Sequence, residues 1–288
     1  MLHQRAEKII CPAAAPYAIG ELISVDVAKL KRQGRISEDL RLPGYQGRPI
    51  SLWVLKARTD GPARGTVVLL HPLLTGKSWL FDHGEALALR GWDVVLPDLA
   101  AHGFSDGPYV TWGALEKHDI RAVVDRLLSD ETITQPIYTG GCSLGAMVAL
   151  HYAALDDRCR GAVAFAPPID CRTIARRMLL LESQADFEAA LARAAELAGF
   201  DPDDASALTA ARQMKGPMIL VHGFLDTVVP YPWSQRLIEA HQGPEKLITL
   251  PVDGHASEFA RAGWLADRFD ELEALDAADV PNASGESD

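Results

Sequence analysis

The stretch that most constrains this chain is Pro136–Leu150, which reads PIYTGGCSLGAMVAL. Ile137, Tyr138 and Thr139 favour a β-strand, while Leu144 to Leu150 place apolar residues on a helical repeat, so the pattern predicts a strand running straight into a helix. Ser143 falls in the turn between them, with Gly141 two residues before it and Gly145 two residues after. A serine on so sharp a turn sits in strained backbone with neighbouring chain close by, which only residues lacking a Cβ permit. Its hydroxyl would stand at the apex, above a helix N-terminus whose N–H groups and dipole favour a developing oxyanion. Glycine and serine are also common turn residues, so the same letters fit an ordinary strand-to-helix turn in any α/β protein. The surrounding chain has to decide.

That chain repeats a rhythm. From Thr66 onward short apolar strands alternate with helical patterns: Thr66–Leu70, a helix over Lys77–Arg90, Asp93–Pro97, a helix over Trp112–Ser129, the strand and helix around Ser143, and Gly161–Pro167. Strands apolar throughout, separated by amphipathic helices, predict a mostly parallel central sheet covered by helices on both faces. Before this region, strand-like pieces at Glu21–Val27 and Ile50–Ala57 flank the turn-rich LPGYQGRP and predict antiparallel edge strands. Between Asp170 and Gly216 the alternation stops in an Ala-, Leu- and Arg-rich segment with no strand pattern. Two or three short helices are expected there, inserted at the carboxyl edge of the sheet where they would form a lid. Strands resume at Pro217–Gly223 and Lys246–Pro251, with helices at Pro232–His241 and Ala256–Leu275. The expected organisation is therefore an N-terminal extension over residues 1–49, a core over 50–170 and 217–276, a helical lid over 171–216 and a disordered polar tail over 277–288.

Composition narrows the function classes. The formal charge is −11, and between Ala266 and Asp288 eight acids face only Arg268, a net −7 that leaves −4 for everything else. A nearly balanced body without clustered Lys and Arg argues against nucleic-acid and anionic-membrane partners. No apolar run reaches the ~20 residues of a bilayer span, and the N-terminus lacks a signal-peptide apolar core. Cys11, Cys142, Cys159 and Cys171 contain no CxxC pair, which predicts reduced thiols and a cytoplasmic location.

A free serine hydroxyl is a poor nucleophile and needs a base, itself oriented by a third group. His255 lies in VDGH just past the strand ending at Leu250, and Asp226 lies in HGFLDTVVP just past the strand ending at Val221. Ser143, Asp226 and His255 thus follow one another in chain order, each at the carboxyl end of a strand. Asp170, after FAPPI, is a rival acid; Asp253 is too near His255 in sequence to orient it.

Five stretches together, HPLLTG (His71–Gly76), PDLAAHGFSDG (Pro97–Gly107), GCSLG, HGFLDTVVP and DGH, resemble the α/β-hydrolase family from about Ile50 to Leu275. The resemblance implies the α/β-hydrolase fold with Ser143 as nucleophile, His255 as base and Asp226 as its orienting acid. It also implies an oxyanion hole from the backbone N–H groups of Leu144 and Leu73. Relatives often carry His-Gly where this chain has His71-Pro72; proline has no N–H, but the donor belongs to the next residue, Leu73. His71, His102 and His222 are expected to tie loops rather than react, and no metal site is expected from them with Asp98. Cys142 is expected to be a small core residue.

Trp79, Trp112, Met178 and Trp233 follow loops that ring the site and are candidates for a substrate pocket, although core positions suit them as well. Arg172, Arg176 and Arg177 lie on adjacent turns of one helix, able to meet an acidic substrate or merely solvent. The expected reaction is hydrolysis of a small-molecule ester through an acyl-enzyme, by a monomer or small homo-oligomer, without a cofactor. GGCSLGAM and HPLLTGKSW also resemble homoserine O-acetyltransferase-type enzymes, so acyl transfer on the same residues remains an alternative. A binding protein that keeps the pocket without turnover is another. Carbon–carbon, lactone or peptide cleavage and haloperoxidation also stay open, since a fold does not fix a substrate.

Overall fold

The structure, a computed structural model, describes residues 2–11, 26–179, 183–255 and 262–279. Eight strands form one sheet: β1 (Glu38–Pro43), β2 (Pro49–Leu55), β3 (Thr66–Leu70), β4 (Asp93–Pro97), β5 (Ile137–Cys142), β6 (Cys159–Phe165), β7 (Met218–Gly223) and β8 (Glu245–Leu250). Their spatial order is β1-β2-β4-β3-β5-β6-β7-β8. β1 and β2 pair antiparallel, β2 joins β4 antiparallel, and β4, β3, β5, β6, β7 and β8 are parallel.

The period of two along the strands sorts side chains between two apolar layers. Val68, Leu70 and Val95 face one, while Val67, Leu69, Val94 and Leu96 face the other, and all are buried. The first layer takes in α1 (Leu2–Ile10), α4 (Glu116–Ser129), α5 (Leu144–Leu155), α6 (Cys171–Leu179), α7 (Gln184–Ala198), α8 (Ala207–Gln213) and α9 (Pro232–Ala240). The second is covered by α2 (Val27–Arg32), α3 (Phe81–Ala88) and α10 (Ala262–Asp279). Helices therefore cover both faces, as the strands' unbroken apolar character requires.

Some elements differ from the sequence expectation. The strand preceding the LPGYQGRP turn is Glu38–Pro43 rather than Glu21–Val27: Val27 begins α2, and Glu21–Val25 lie outside the described residues. β1 is an outer strand with five of its six residues at least partly open to water, and its apolar alternation is only Leu40 and Leu42, too short to stand out. The final helix extends to Asp279 rather than Leu275, so residues 277–279 of the tail expected to be disordered are helical, and the rest of that tail, from 280, lies outside the described residues. Between β6 and β7 the described residues form helices and turns, with one isolated bridge of Asp170 to Ser206. α7 packs on α1, and α8 packs on α5 and α9, joining the helical layer of the core.

The C-terminal acidic excess has a local explanation. Asp267 and Asp270 accept from Arg90, Asp270 and Glu273 from Arg64, and Asp276 from Arg160 and the Tyr138 hydroxyl. The acids of α10 dock that helix onto basic side chains from the turn after α3, from β6 and from the loop before β3. Among the described residues no helix is long and apolar enough to cross a membrane.

Candidate active site

The turn after β5 is built as its glycines demand. Ser143 has φ 53° and ψ −116°, a conformation costly for a residue with a Cβ. A Cβ on Gly141 would lie 2.5 Å from the Leu70 carbonyl oxygen, and one on Gly145 only 2.0 Å from that same oxygen and 2.7 Å from that of His71. Backbone from β3 passes that close. The Ser143 N–H donates to Phe165 O at 2.8 Å, and its carbonyl accepts from Met147 N at 3.0 Å, pinning both peptide neighbours. The Ser143 hydroxyl makes no capping bond to the helix it starts. α5 is buried on all sides through Tyr152, so the turn rests on a fixed support.

Across the sheet, Cys142, Phe165, Val221 and Ile248 lie in one register row. Ser143 is one residue past that row on β5, Asp226 five past it on β7 and His255 seven past it on β8. With strands about 4.8 Å apart, the loops after β7 and β8 start about 10 and 14 Å from β5.

Asp226 and His255 meet directly: His255 Nδ1 stands 2.7 Å from Asp226 Oδ2. The other carboxylate oxygen, Oδ1, accepts the N–H groups of Val228 and Val229, each at 2.8 Å. His222 adds a fourth contact, Nε2 to Oδ2 at 3.3 Å. Ser234 Oγ lies 2.6 Å from His222 Nδ1, and Val229 O lies 2.8 Å from its Nε2, so Nε2–H is the donor on the side that faces Asp226. Burial opposes ionisation of Asp226, but the hydrogen bonds from His222, His255 and Val229 outweigh it and hold the carboxyl well below the usual carboxylate range. A carboxylate so held fixes the His255 proton on Nδ1 and leaves Nε2 with its lone pair. Burial, and then the Asp226 charge, push the Cys142 thiol up, so the residue beside Ser143 stays a protonated, buried side chain.

Asp170 is engaged elsewhere. Its Oδ1 accepts Thr173 N–H at 2.6 Å at the start of α6.

The loop after β3 is tied by histidines. His71 Nε2 accepts Leu99 N–H at 2.9 Å, so the ring proton lies on Nδ1 and is donated to Pro72 O at 2.9 Å. His102 Nε2 accepts Leu74 N–H at 3.3 Å and its Nδ1 donates to Ala100 O at 2.9 Å. Burial, with His102 nearby, pushes His71 down to about 3, and burial also lowers His102, so both rings stay neutral. Leu73 sits between Pro72, whose carbonyl also accepts Thr75 Oγ1 at 2.8 Å, and Leu74. Leu144, as the first residue of α5, has no intrahelical acceptor for its N–H.

Beneath this loop lies a contact that the sequence did not suggest. Lys77 Nζ is 2.5 Å from Asp98 Oδ2 and 2.8 Å from Ser51 Oγ, with both charged side chains at most 3% exposed. Asp98 also accepts the N–H groups of Lys77 and Phe104, at 2.7 and 2.9 Å. The pair clamps the loops after β3 and β4 together. The only advance signal was a lysine between Gly76 and the hydrophobic Trp79 and Leu80. Among the described residues no group of three or more His, Cys, Asp or Glu could hold a metal ion.

Of the four pocket candidates, Met178 is exposed on α6, and Trp79 is half-buried, stacked on His83 at 5.9 Å. Trp233 is buried in the core at the start of α9. Trp112 is also a core residue: it is 2% exposed, and its indole N–H donates to Ile9 O at 2.9 Å. The reason is α1, which the sequence reading did not foresee and whose Ala6, Ile9 and Ile10 cover that ring's surroundings.

Comparison with known proteins agrees with this architecture. The family model described as alpha/beta hydrolase fold matches residues 65–212. A curated protein of Bacillus subtilis strain 168, the uncharacterized protein YqkD, is 27% identical over 184 residues, 59% of this chain and 58% of its own length. The esterase Pf2001 of Pyrococcus furiosus superposes with a TM-score of 0.67 at 22% identity, covering 85% of this chain and 94% of its own. Est1E of Butyrivibrio proteoclasticus, solved with ferulic acid bound, gives 0.66 at 20% identity, covering 83% and 99%.

Proposed function

Because this chain belongs to the α/β-hydrolase fold family, we propose that it is a serine hydrolase cleaving a carboxylic ester through an acyl-enzyme on Ser143. The observation that carries the reading is the 2.7 Å Asp226–His255 pair, buried at the carboxylate end, on the same sheet edge as the strained turn of Ser143. In the proposed reaction, Ser143 Oγ attacks the ester carbonyl as His255 Nε2 takes its proton. The N–H groups of Leu73 and Leu144 receive the oxyanion, and His255 returns the proton to the departing alcohol. A water, giving its proton to His255, then attacks the acyl-serine; as the acyl–oxygen bond breaks, Ser143 Oγ takes that proton back from His255 and the acid is released. Asp226 stays ionised throughout and stabilises the imidazolium. The esterase Pf2001 shares the fold, which makes an ester the first substrate class to try.

The experiment is labelling with a fluorophosphonate, together with hydrolysis of p-nitrophenyl acetate. Ser143→Ala should lose both. Asp226→Asn should lower kcat about 10⁴-fold, the size of effect seen when the orienting acid of such a triad is neutralised. Asp170→Asn, whose carboxylate caps α6, should retain activity. An unlabelled native protein, or a Ser143→Ala variant that still turns over, would reject the proposal.

A further inference from the structure

Ten large apolar side chains stand exposed among the described residues, and seven of them lie past the carboxyl ends of the parallel strands. Scattered single exposures need no explanation, but a concentration on the one edge that carries Ser143, Asp226 and His255 does. Leu74 and Phe104 belong to the loops after β3 and β4. The other five are Met178 on α6, Phe224, Leu225 and Val228 after β7, and Val252 after β8, between 39% and 81% exposed.

This second group is held in place rather than loosely extended. Phe224 N–H donates to Leu250 O at 2.8 Å and Leu225 N–H to Asp253 O at 3.0 Å, joining the β7 loop to the β8 loop. Arg177 donates to Thr227 O at 2.7 Å and Val228 O at 3.2 Å, joining α6 to the same loop. Within five residues Asp226 turns inward to His255 while Phe224, Leu225 and Val228 turn outward. The backbone thus keeps apolar groups in water beside the reacting pair, a cost that folding alone does not require.

The charged groups nearby are engaged. Arg172 pairs with Glu188 at 2.6 Å, Arg176 donates to Ser183 O at 3.3 Å and lies over the Phe187 ring, and Arg177 holds the loop carbonyls. None of these contacts prepares the arginines of α6 for an acidic substrate.

Building on the hydrolase reading, we propose that this crest binds the hydrocarbon of the substrate, so that the substrate class is an uncharged ester with an extended apolar acyl chain. Each methylene that leaves water for the crest multiplies kcat/KM by up to about 4-fold.

The test is a series of p-nitrophenyl esters from acetate to dodecanoate, below their critical micelle concentrations, on the native protein and on Phe224→Ser/Leu225→Ser/Val228→Ser. These positions are exposed, so the fold should tolerate the change. The expected result is a native kcat/KM that rises at least about 10-fold from acetate to octanoate, and a triple variant whose octanoate-to-acetate ratio falls at least about 10-fold. A flat native series, or a variant that keeps the native ratio, overturns the proposal. So does a rate that rises only above the critical micelle concentration, which would instead assign the crest to a lipid surface. Binding of the neutral fluorophore N-phenyl-1-naphthylamine, measured on native protein, Ser143→Ala and the triple variant, reads the crest without turnover. Binding that only the triple variant loses, with no ester cleaved, would retain the apolar crest and reject the hydrolase; binding that the triple variant keeps would reject the crest.

Discussion

Neutralising Asp98 is the sharpest test of how the loops at the site are held. Its carboxylate accepts Lys77 Nζ, Lys77 N–H and Phe104 N–H, and the ammonium has Ser51 Oγ as its other neighbour, with the Trp53 and Phe104 rings 5.2 and 5.0 Å away. Asn has the same shape, but one oxygen becomes an NH2 group. With its oxygen toward Lys77 N–H, the NH2 meets both the ammonium and Phe104 N–H; turned over, it meets Lys77 N–H instead. In either orientation a buried donor loses its acceptor and the ammonium loses its counter-charge. Removing one partner of a buried pair in this way costs about 3–5 kcal/mol.

For 288 residues the entropy of unfolding is about 0.6 kcal/mol/K, so Asp98→Asn should lower Tm by about 5–8 °C. Scanning calorimetry at fixed pH measures this, and urea midpoints by circular dichroism give an independent value. Adding Lys77→Met removes the stranded charge, and the double variant should recover more than half of the loss, a coupling that a double-mutant cycle isolates. Asp157→Asn is the control: its partner Lys215 is 83% exposed and Asp157 itself 87%, so no measurable shift is expected. A loss below about 1 °C for Asp98→Asn, or losses that simply add in the double variant, would refute the clamp.

Two further outcomes follow from the geometry. Burial, against the pull of Arg48, pushes Asp119 up to about 7 from 3.8, so the native state holds a proton that the unfolded chain releases across that window. Stability from this group is full below about pH 4 and is lost as pH rises through about 7. Asp119→Asn should therefore gain on the native protein between pH 5 and pH 8 in urea midpoint, and a constant difference would rule this out. Gly145→Ala, whose Cβ would lie 2.0 Å from Leu70 O, should lose fluorophosphonate labelling and stability together. Gly263→Ala, with nothing within 4 Å of its Cβ, should cost neither; equal behaviour of the two would refute the steric account of the turn.

How much of this was legible in the sequence depended on whether the cause was local. β3 to β7 are buried from end to end or nearly so and read directly as apolar runs, whereas β8, an outer strand with no fully buried residue, was legible from Leu247, Ile248 and Leu250 after a turn. β1 escaped notice because water covers most of its residues, and α1 because LHQRAEKII buries only Ala6, Ile9 and Ile10. The glycines around Ser143 were legible because a steric exclusion leaves only one residue type. The Lys77–Asp98 clamp was not, since it joins residues 21 apart by a contact that no spacing encodes. The same holds for His222, expected as a loop tie, which also reaches Asp226. Trp112 could be placed only once α1 was known to lie against it.

The strand order gives the site its place. From β3 the chain moves outward to β4, then crosses back over β3 to β5 and continues outward the other way to β8. Loops leaving the carboxyl ends of β3 and β5 therefore diverge, and in a sheet of this order the space between two such strands is where a crevice forms. The two proposed oxyanion donors come from opposite walls of that crevice, Leu73 after β3 and Leu144 after β5. For both to serve one oxygen atom the walls must stand nearer than ordinary side chains allow, and at Gly145 they do: the carbonyls of Leu70 and His71 occupy the space where a Cβ would go. The glycine after the serine thus answers a demand of the sheet order and not only of the turn. A chain with the same turn on an outer strand would have no neighbouring loop to supply the second donor.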